Sequence, residues 1–252
     1  MLRSGIPFLV GGGYGLQHYA SGVRGPKDLD VFVRRRDARP LLEALAREGI
    51  ETERTFPHWL AKAFIDGECI DIIYSSGNGV AEVDDDWFAR APSSTVLGLP
   101  VKLSPPEEMI WSKAFVMERE RYDGADVAHL VLACHERLDW RRLLARFGPH
   151  WRVLLAHLTL FGFIYPSERG RIPAEIILEL TRRLARESTD PQPTERVCRG
   201  TLLSRAQYLT DVSRWGYADG RLTPRGRMTA DDVAHWTAAI EREDGDADRS
   251  GG

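Results

Sequence analysis

Val10-Gly11-Gly12-Gly13-Tyr14-Gly15-Leu16, and after a turn-rich link Arg24-Gly25-Pro26-Lys27-Asp28-Leu29-Asp30-Val31-Phe32-Val33, is the stretch on which the reading of the chain turns. A glycine cluster follows the short apolar run from Gly5 to Val10, and Tyr14 to Tyr19 reads as a short helix. Glycines at a helix entrance let backbone amides approach a polyphosphate, and the helix N-terminus adds partial positive charge. Leu29 to Val33 is a compact strand rich in β-branched and aromatic residues. Side chains alternate along a strand, so Asp28 and Asp30 are expected to project together while Leu29 and Val31 enter a core. Two adjacent carboxylates repel unless a cation neutralises them, and hard oxygen donors with room for phosphate oxygens suit Mg²⁺. In a plainer reading, one Asp caps the strand entry and the other is simply exposed.

Other glycine motifs fail. Gly11-x-Gly13 would need Gly at Leu16 and Gly13-x-Gly15 would need Gly at His18 for a dinucleotide fingerprint, and no Gly-Lys-Ser/Thr occurs for a phosphate-binding P-loop.

Working outward, Asp37 caps a helix over Ala38 to Glu48, with Leu41, Leu42, Leu45 and Ala46 on one stripe and Gly49 as the stop. Extended runs follow at Glu51 to Phe56, Trp59 to Ile65 and Cys69 to Tyr74, with Asp66-Gly67 as a hairpin turn between the last two. A short acidic helix from Asp84 to Arg90 precedes a hairpin of Thr95 to Leu97 and Val101 to Leu103 turned by Gly98. Ser104-Pro105-Pro106-Glu107 is a helix entry with a capping Ser. Helices are expected over 105–119, 123–136, 139–147, 150–164, 172–187, 204–215 and 229–242. The expected organisation is an α/β core over 1–104, a helical region over 105–242 and a frayed polar tail over 243–252.

The 252 residues carry 34 Lys+Arg against 37 Asp+Glu, a net charge of −3, with 43% hydrophobic content; these values fit a globular protein and give no global basic field for nucleic acid. Cys69, Cys134 and Cys198 are odd in number and widely spaced, matching reduced thiols and a cytoplasmic location. The apolar run Ile6 to Val10 is far short of a membrane span. None of the seven histidines has a metal-ligand spacing. Asp84-Asp85-Asp86 reads as a helix N-terminus and Arg34-Arg35-Arg36 as a solvated turn that could also touch phosphates.

The glycine cluster and Asp-x-Asp strand together resemble the nucleotidyltransferase superfamily typified by DNA polymerase β. The likeness extends to its bacterial minimal-nucleotidyltransferase and AbiEii-toxin-like branch, whose pattern is Gly-Gly-x-Ala-Leu, a Tyr, then Arg-x-Thr-x-Asp-x-Asp. Gly12-Gly13-Tyr14-Gly15-Leu16, Tyr19, Arg24 and Asp28-Leu29-Asp30 stand in those places. The resemblance implies a mixed sheet flanked by helices, with a helical C-terminal region. It implies an enzyme moving NMP from an NTP onto a hydroxyl of a small molecule, tRNA or protein and releasing pyrophosphate; toxin-type relatives would add an antitoxin partner. Mg²⁺, or Mn²⁺ in its place, would be held by Asp28, Asp30 and a third carboxylate on a later strand. Asp71, alone among Cys69-Ile70-Ile72-Ile73-Tyr74, is the candidate for that third position and for accepting the acceptor's proton; alternatively it lies on a solvated face.

Gly12, Gly13, Tyr14, Arg24 and Lys27 would line the nucleotide phosphates. Downstream, Lys113, Arg119 and Asp123-Gly124-Ala125-Asp126 continue the pattern. Lys113, on the apolar face of its helix, needs an anion, either a nucleotide phosphate or Asp123 and Asp126, and the two roles are compatible. Pro26 replaces the family's Thr or Ser, which leaves a silent nucleotide-binding or protein-interaction module as the alternative. The family's helix ahead of the first strand has no counterpart here, so the resemblance expects a start upstream of Met1. It covers about residues 5 to 135.

Overall fold

The computed structural model describes residues 1–22, 26 and 28–239. Its centre is a five-stranded mixed sheet built from β1 (Leu9–Val10), β2 (Leu29–Phe32), β3 (Glu51–Phe56), β4 (Leu60–Ile65) and β5 (Glu68–Ile73), in the order β1-β2-β5-β4-β3. Only β2 and β5 run parallel; the other neighbours are antiparallel. The β4–β5 hairpin turns on Asp66 and Gly67 with φ of 51° and 84°. These left-handed values match the twist of the flanking strands and explain the Asp-Gly pair.

Alternation sorts the sheet into two faces. Val31, Val33, Ile72, Ala61 and Ala63 pack with Ala38, Leu41 and Leu45 of α2 (Arg35–Arg47). Phe32 belongs to the opposite face and joins a larger core with Leu16 of α1 (Gly12–Tyr19) and the downstream helices. Asp30, two residues before Phe32, shares this second face.

Beyond the sheet come α3 (Asp85–Ala89), the hairpin β6 (Ser93–Val96) and β7 (Leu99–Lys102), and then α4 (Pro106–Lys113), α5 (Gly124–Cys134), α6 (Trp140–Phe147), α7 (Trp151–Ile164) and α8 (Ala174–Glu187). Short pieces follow: β8 (Val197–Cys198), α9 (Leu209–Ser213) and β9 (Ala218–Asp219), then a helix, α10, over 230–239. Buried Ile110, Leu130, Leu143, Leu154 and Leu180 lie in one core with Leu9 and Val10, so the helices and the sheet share their packing. Residues 236 and 239 return to the sheet edge beside Phe56 and Leu60. No helix among the described residues is long and apolar enough to cross a membrane.

Several expected boundaries move. The helix expected over 105–119 stops at Lys113, because Met117 and Tyr122 pair as an antiparallel bridge and reverse the chain. The one over 204–215 shrinks to α9. Ser104 does not cap α4: Pro105 is the cap residue, with no side-chain hydrogen bond, while the Ser104 amide donates to Val10 O at 2.9 Å and ties the helix entrance to β1. The expected tail, 243–252, lies outside the described residues.

In the arginine run at the start of α2, Arg35 and Arg36 are exposed, as a solvated run requires, and only Arg34 is drawn in. Arg34 lies over the Phe88 ring at 3.8 Å and pairs with Asp37 and Asp85, and Arg36 reaches Asp85 as well, so α2 is clamped to α3. Asp84 does cap α3, accepting from the amides of Asp86 and Trp87. Across the helices, Glu108 is fully buried between Arg142 and Arg146, and Arg146 also holds Asp84 at 2.5 Å. Nothing in the local pattern of α4 announces this buried ion cluster.

Candidate functional site

The site forms where β1 gives way to α1. The Gly11 amide donates to Asp30 O at 3.1 Å, extending the β1–β2 pairing by one residue, and the Gly15 amide closes the first helical turn on Gly11 O at 2.8 Å. Gly12 then adopts φ of +52°. A Cβ on Gly12 would stand 1.6 Å from Asp30 Oδ2, so the carboxylate occupies the volume that any other residue would fill. A Cβ on Gly13 would stand 2.7 Å from Pro26 Cβ. The Gly13 amide also donates to the Asp30 carboxylate. The glycine cluster is therefore shaped by close approach to Asp30 and Pro26. Tyr14 is half-buried against the core.

Asp71 comes to Asp30 through strand register. In the parallel β2–β5 pair, Asp30 is directly opposite Asp71, and Lys62 of β4 is opposite Asp71 on its other side. The row Asp30, Asp71, Lys62 therefore runs across three adjacent strands on one face. Lys62 Nζ sits 3.2 Å from Asp71 Oδ1, and the Cys69 thiol lies 3.8 Å from the same oxygen. Burial and the neighbouring Asp71 charge push Asp30 up to about 6; Lys113, Arg121 and the Gly13 amide oppose them only in part. Burial lowers the pKa of Lys62, but attraction to Asp71 outweighs it and holds the ammonium above its usual range.

Lys113 closes the other side. It is the last residue of α4, is 14% exposed, and sits 2.6 Å from Asp126 Oδ2 and 3.3 Å from Asp123 Oδ2 at the start of α5. Arg121 donates to both Asp123 oxygens at 3.1 Å. Burial would raise Asp123, but these two cations hold its carboxyl below the usual range. Both the Lys113 pairing and its influence on Asp30 are thus present in one place.

Of the three carboxylates expected as a metal triad, Asp30 and Asp71 are cross-strand neighbours. Asp28 is exposed and precedes β2, whose ladder begins at Leu29. Asp71 is engaged by Lys62. Among the described residues, no three His, Cys, Asp or Glu side chains form a metal-holding group. The donor set that does fit a divalent cation is smaller: a part-buried Asp30 carboxylate whose negative neighbour Asp71 leaves it short of positive charge.

Arg24 and Lys27 lie outside the described residues. Arg119, the residue matching the motif, is 81% exposed and pairs with Glu120. Arg121 instead faces the site, because the reversal between Met117 and Tyr122 turns it back towards Asp123. Lys62 also escaped the motif reading, although hairpin geometry could have found it.

No protein-family profile matches the chain, and no curated protein matches it. Among solved structures, it is similar to the antibiotic-resistance factor ANT(2'')-Ia in solution, at 19% identity and TM-score 0.40, covering 62% of this chain and 89% of that one. It is similar to a crystal structure of ANT(2'')-Ia in complex with adenylyl-2''-tobramycin, at 18% identity and TM-score 0.39, covering 59% and 91%. A putative nucleotidyltransferase from H. pylori matches at 13% identity and TM-score 0.33, covering 75% and 92%. At these values the likenesses are distant, and the chemistry of the site rests on the chain's own residues.

Proposed function

We propose that the chain transfers a nucleoside monophosphate from an NTP to an acceptor hydroxyl. The observation that carries this reading is the seating of Asp30 in the space of the missing Gly12 Cβ, in register with Asp71 and facing Lys113 and Arg121. The backbone at Gly12 and Gly13 would receive the triphosphate at the entrance to α1, where the helix terminus favours anions. Lys113, already poised between Asp123 and Asp126, would neutralise phosphate charge, with Arg121 beside it. Asp30, flanked by Asp71 and exposed Asp28, would hold Mg²⁺ or Mn²⁺, which when bound supplies charge neutralisation at the phosphate oxygens.

In the transfer, the acceptor oxygen forms a bond to the α-phosphorus as the bond from that phosphorus to the bridging oxygen breaks. Pyrophosphate leaves with the electron pair, and the hydroxyl proton passes to Asp71 and then to solvent. Most of the rate enhancement would come from positioning and fixed charge.

The test is incubation of the full chain with each α-labelled NTP, Mg²⁺ and a panel of aminoglycosides, tRNA and proteins. Label transferred to one acceptor class, pyrophosphate released in equal amount, and loss of both with Asp30→Asn are expected. Undiminished transfer by Asp30→Asn refutes the mechanism, and nucleotide binding with no transfer to any acceptor refutes the enzymatic reading.

A further inference from the structure

Lys62 has no part in the chemistry just described, yet register delivers it to the centre of the site. It is the single charge in Leu60-Ala61-Lys62-Ala63, and the alanines on both sides are fully buried in the core under α2. Its side chain therefore emerges on the face that bears Asp30 and Asp71. Its ammonium is 3.2 Å from Asp71 Oδ1, and both partners are partly screened from solvent, at 31% and 24% exposed. Asp71 is thus bracketed: a carboxylate, Asp30, on one neighbouring strand and an ammonium on the other.

We propose that Lys62 is a standing cation of the active site, occupying at Asp71 the electrostatic place of a divalent ion, so that the site takes up a single divalent cation, at Asp30. The inference rests on the nucleotidyl-transfer reading. An Asp30–Asp71 pair alone presents two adjacent negative charges, which would attract divalent ions to both carboxylates. With Lys62 fixed against Asp71, Asp30 is the member of the pair with no ion pair to a cationic side chain among the described residues. An ordinary cross-strand pair on a solvated face would add little to stability and would leave ion binding unchanged.

The experiment uses the full chain and Mn²⁺ alone, with free aqua-Mn²⁺ counted by electron paramagnetic resonance. The wild type is expected to bind one equivalent. Lys62→Met is expected either to bind Mn²⁺ about tenfold more tightly or to take up a second equivalent. That factor is what Coulomb's law gives for removing one charge roughly 6 Å from a divalent ion in bulk water. Lys62→Arg should behave as wild type, and Lys62→Met combined with Asp71→Asn should lose the gain. Lys62→Gln repeats the test should the Met variant fail to fold, with a melting curve for each protein. Two equivalents in the wild type, or Mn²⁺ binding by both Lys62→Met and Lys62→Gln indistinguishable from wild type, overturns the proposal. An Asp30→Asn chain that binds Mn²⁺ as tightly as wild type instead refutes the site reading itself, whatever Lys62 does.

Discussion

Replacing Asp30 by Asn should stabilise the protein while abolishing transfer. In the native state, burial and the charge of Asp71 hold the Asp30 carboxyl near pH 6 rather than 3.8. Below pH 3.8 the group is protonated whether the chain is folded or not, and it contributes nothing. Between 3.8 and 6 the unfolded chain has lost the proton and the native chain retains it, so native protein binds more protons and stability falls as pH rises. Above pH 6 the deficit is complete. The gap between about 6 and 3.8, at roughly 1.4 kcal/mol for each pH unit, amounts to about 3 kcal/mol.

Asn preserves the shape and an acceptor for the Gly13 amide but carries no charge. In EDTA at pH 7.5, Asp30→Asn should therefore unfold at a temperature roughly 6–12 °C above wild type. At pH 3 the two proteins should melt together. The assay is paired thermal and urea denaturation across pH 3 to 8, with transfer measured on the same samples. An Asn variant less stable than wild type at pH 7.5, or a gain that does not vanish at pH 3, refutes the electrostatic account of this carboxylate.

Other perturbations follow from the same geometry. Gly12→Ala should cost at least about 2 kcal/mol from left-handed backbone strain and the clash with Asp30, and should weaken NTP binding, read by urea midpoint and nucleotide titration. Lys113→Met should lower transfer about a hundredfold with partial recovery in Lys113→Arg, measured as kcat and KM for the NTP; unchanged kinetics would make the lysine purely structural. Glu108→Leu should destabilise the fold by about 3–5 kcal/mol, because Arg142 and Arg146 lose their shared buried carboxylate, while transfer per folded molecule stays the same.

Much of this site was legible because its key contacts are local or set by simple registers. The glycine cluster meets Asp30 through the pairing of β1 with the very next strand, and Asp71 stands out as a lone acid in an apolar strand. The Lys62–Asp71 pair was also readable: a two-residue Asp66-Gly67 turn places residues equidistant from it opposite one another. Arg121 was hidden behind Arg119 because apolar periodicity carries on past Lys113, whereas the helix ends there and a bridge from Met117 to Tyr122 turns the chain. Glu108 between two arginines depends on α4 meeting α6, a tertiary contact with no local signature.

The lone parallel pairing in the sheet carries a kinetic consequence. β2 and β5 cannot join through a tight turn; the α2 helix and both β3 and β4 intervene, so this pairing closes the longest loop within the sheet. It is also the step that forces two like charges into neighbouring positions. If this closure belongs to the folding nucleus, neutralising Asp30 speeds refolding; if it forms after the barrier, the same substitution slows unfolding instead. A chevron analysis of wild type and Asp30→Asn thus reports when, along the folding path, the chain assembles its site.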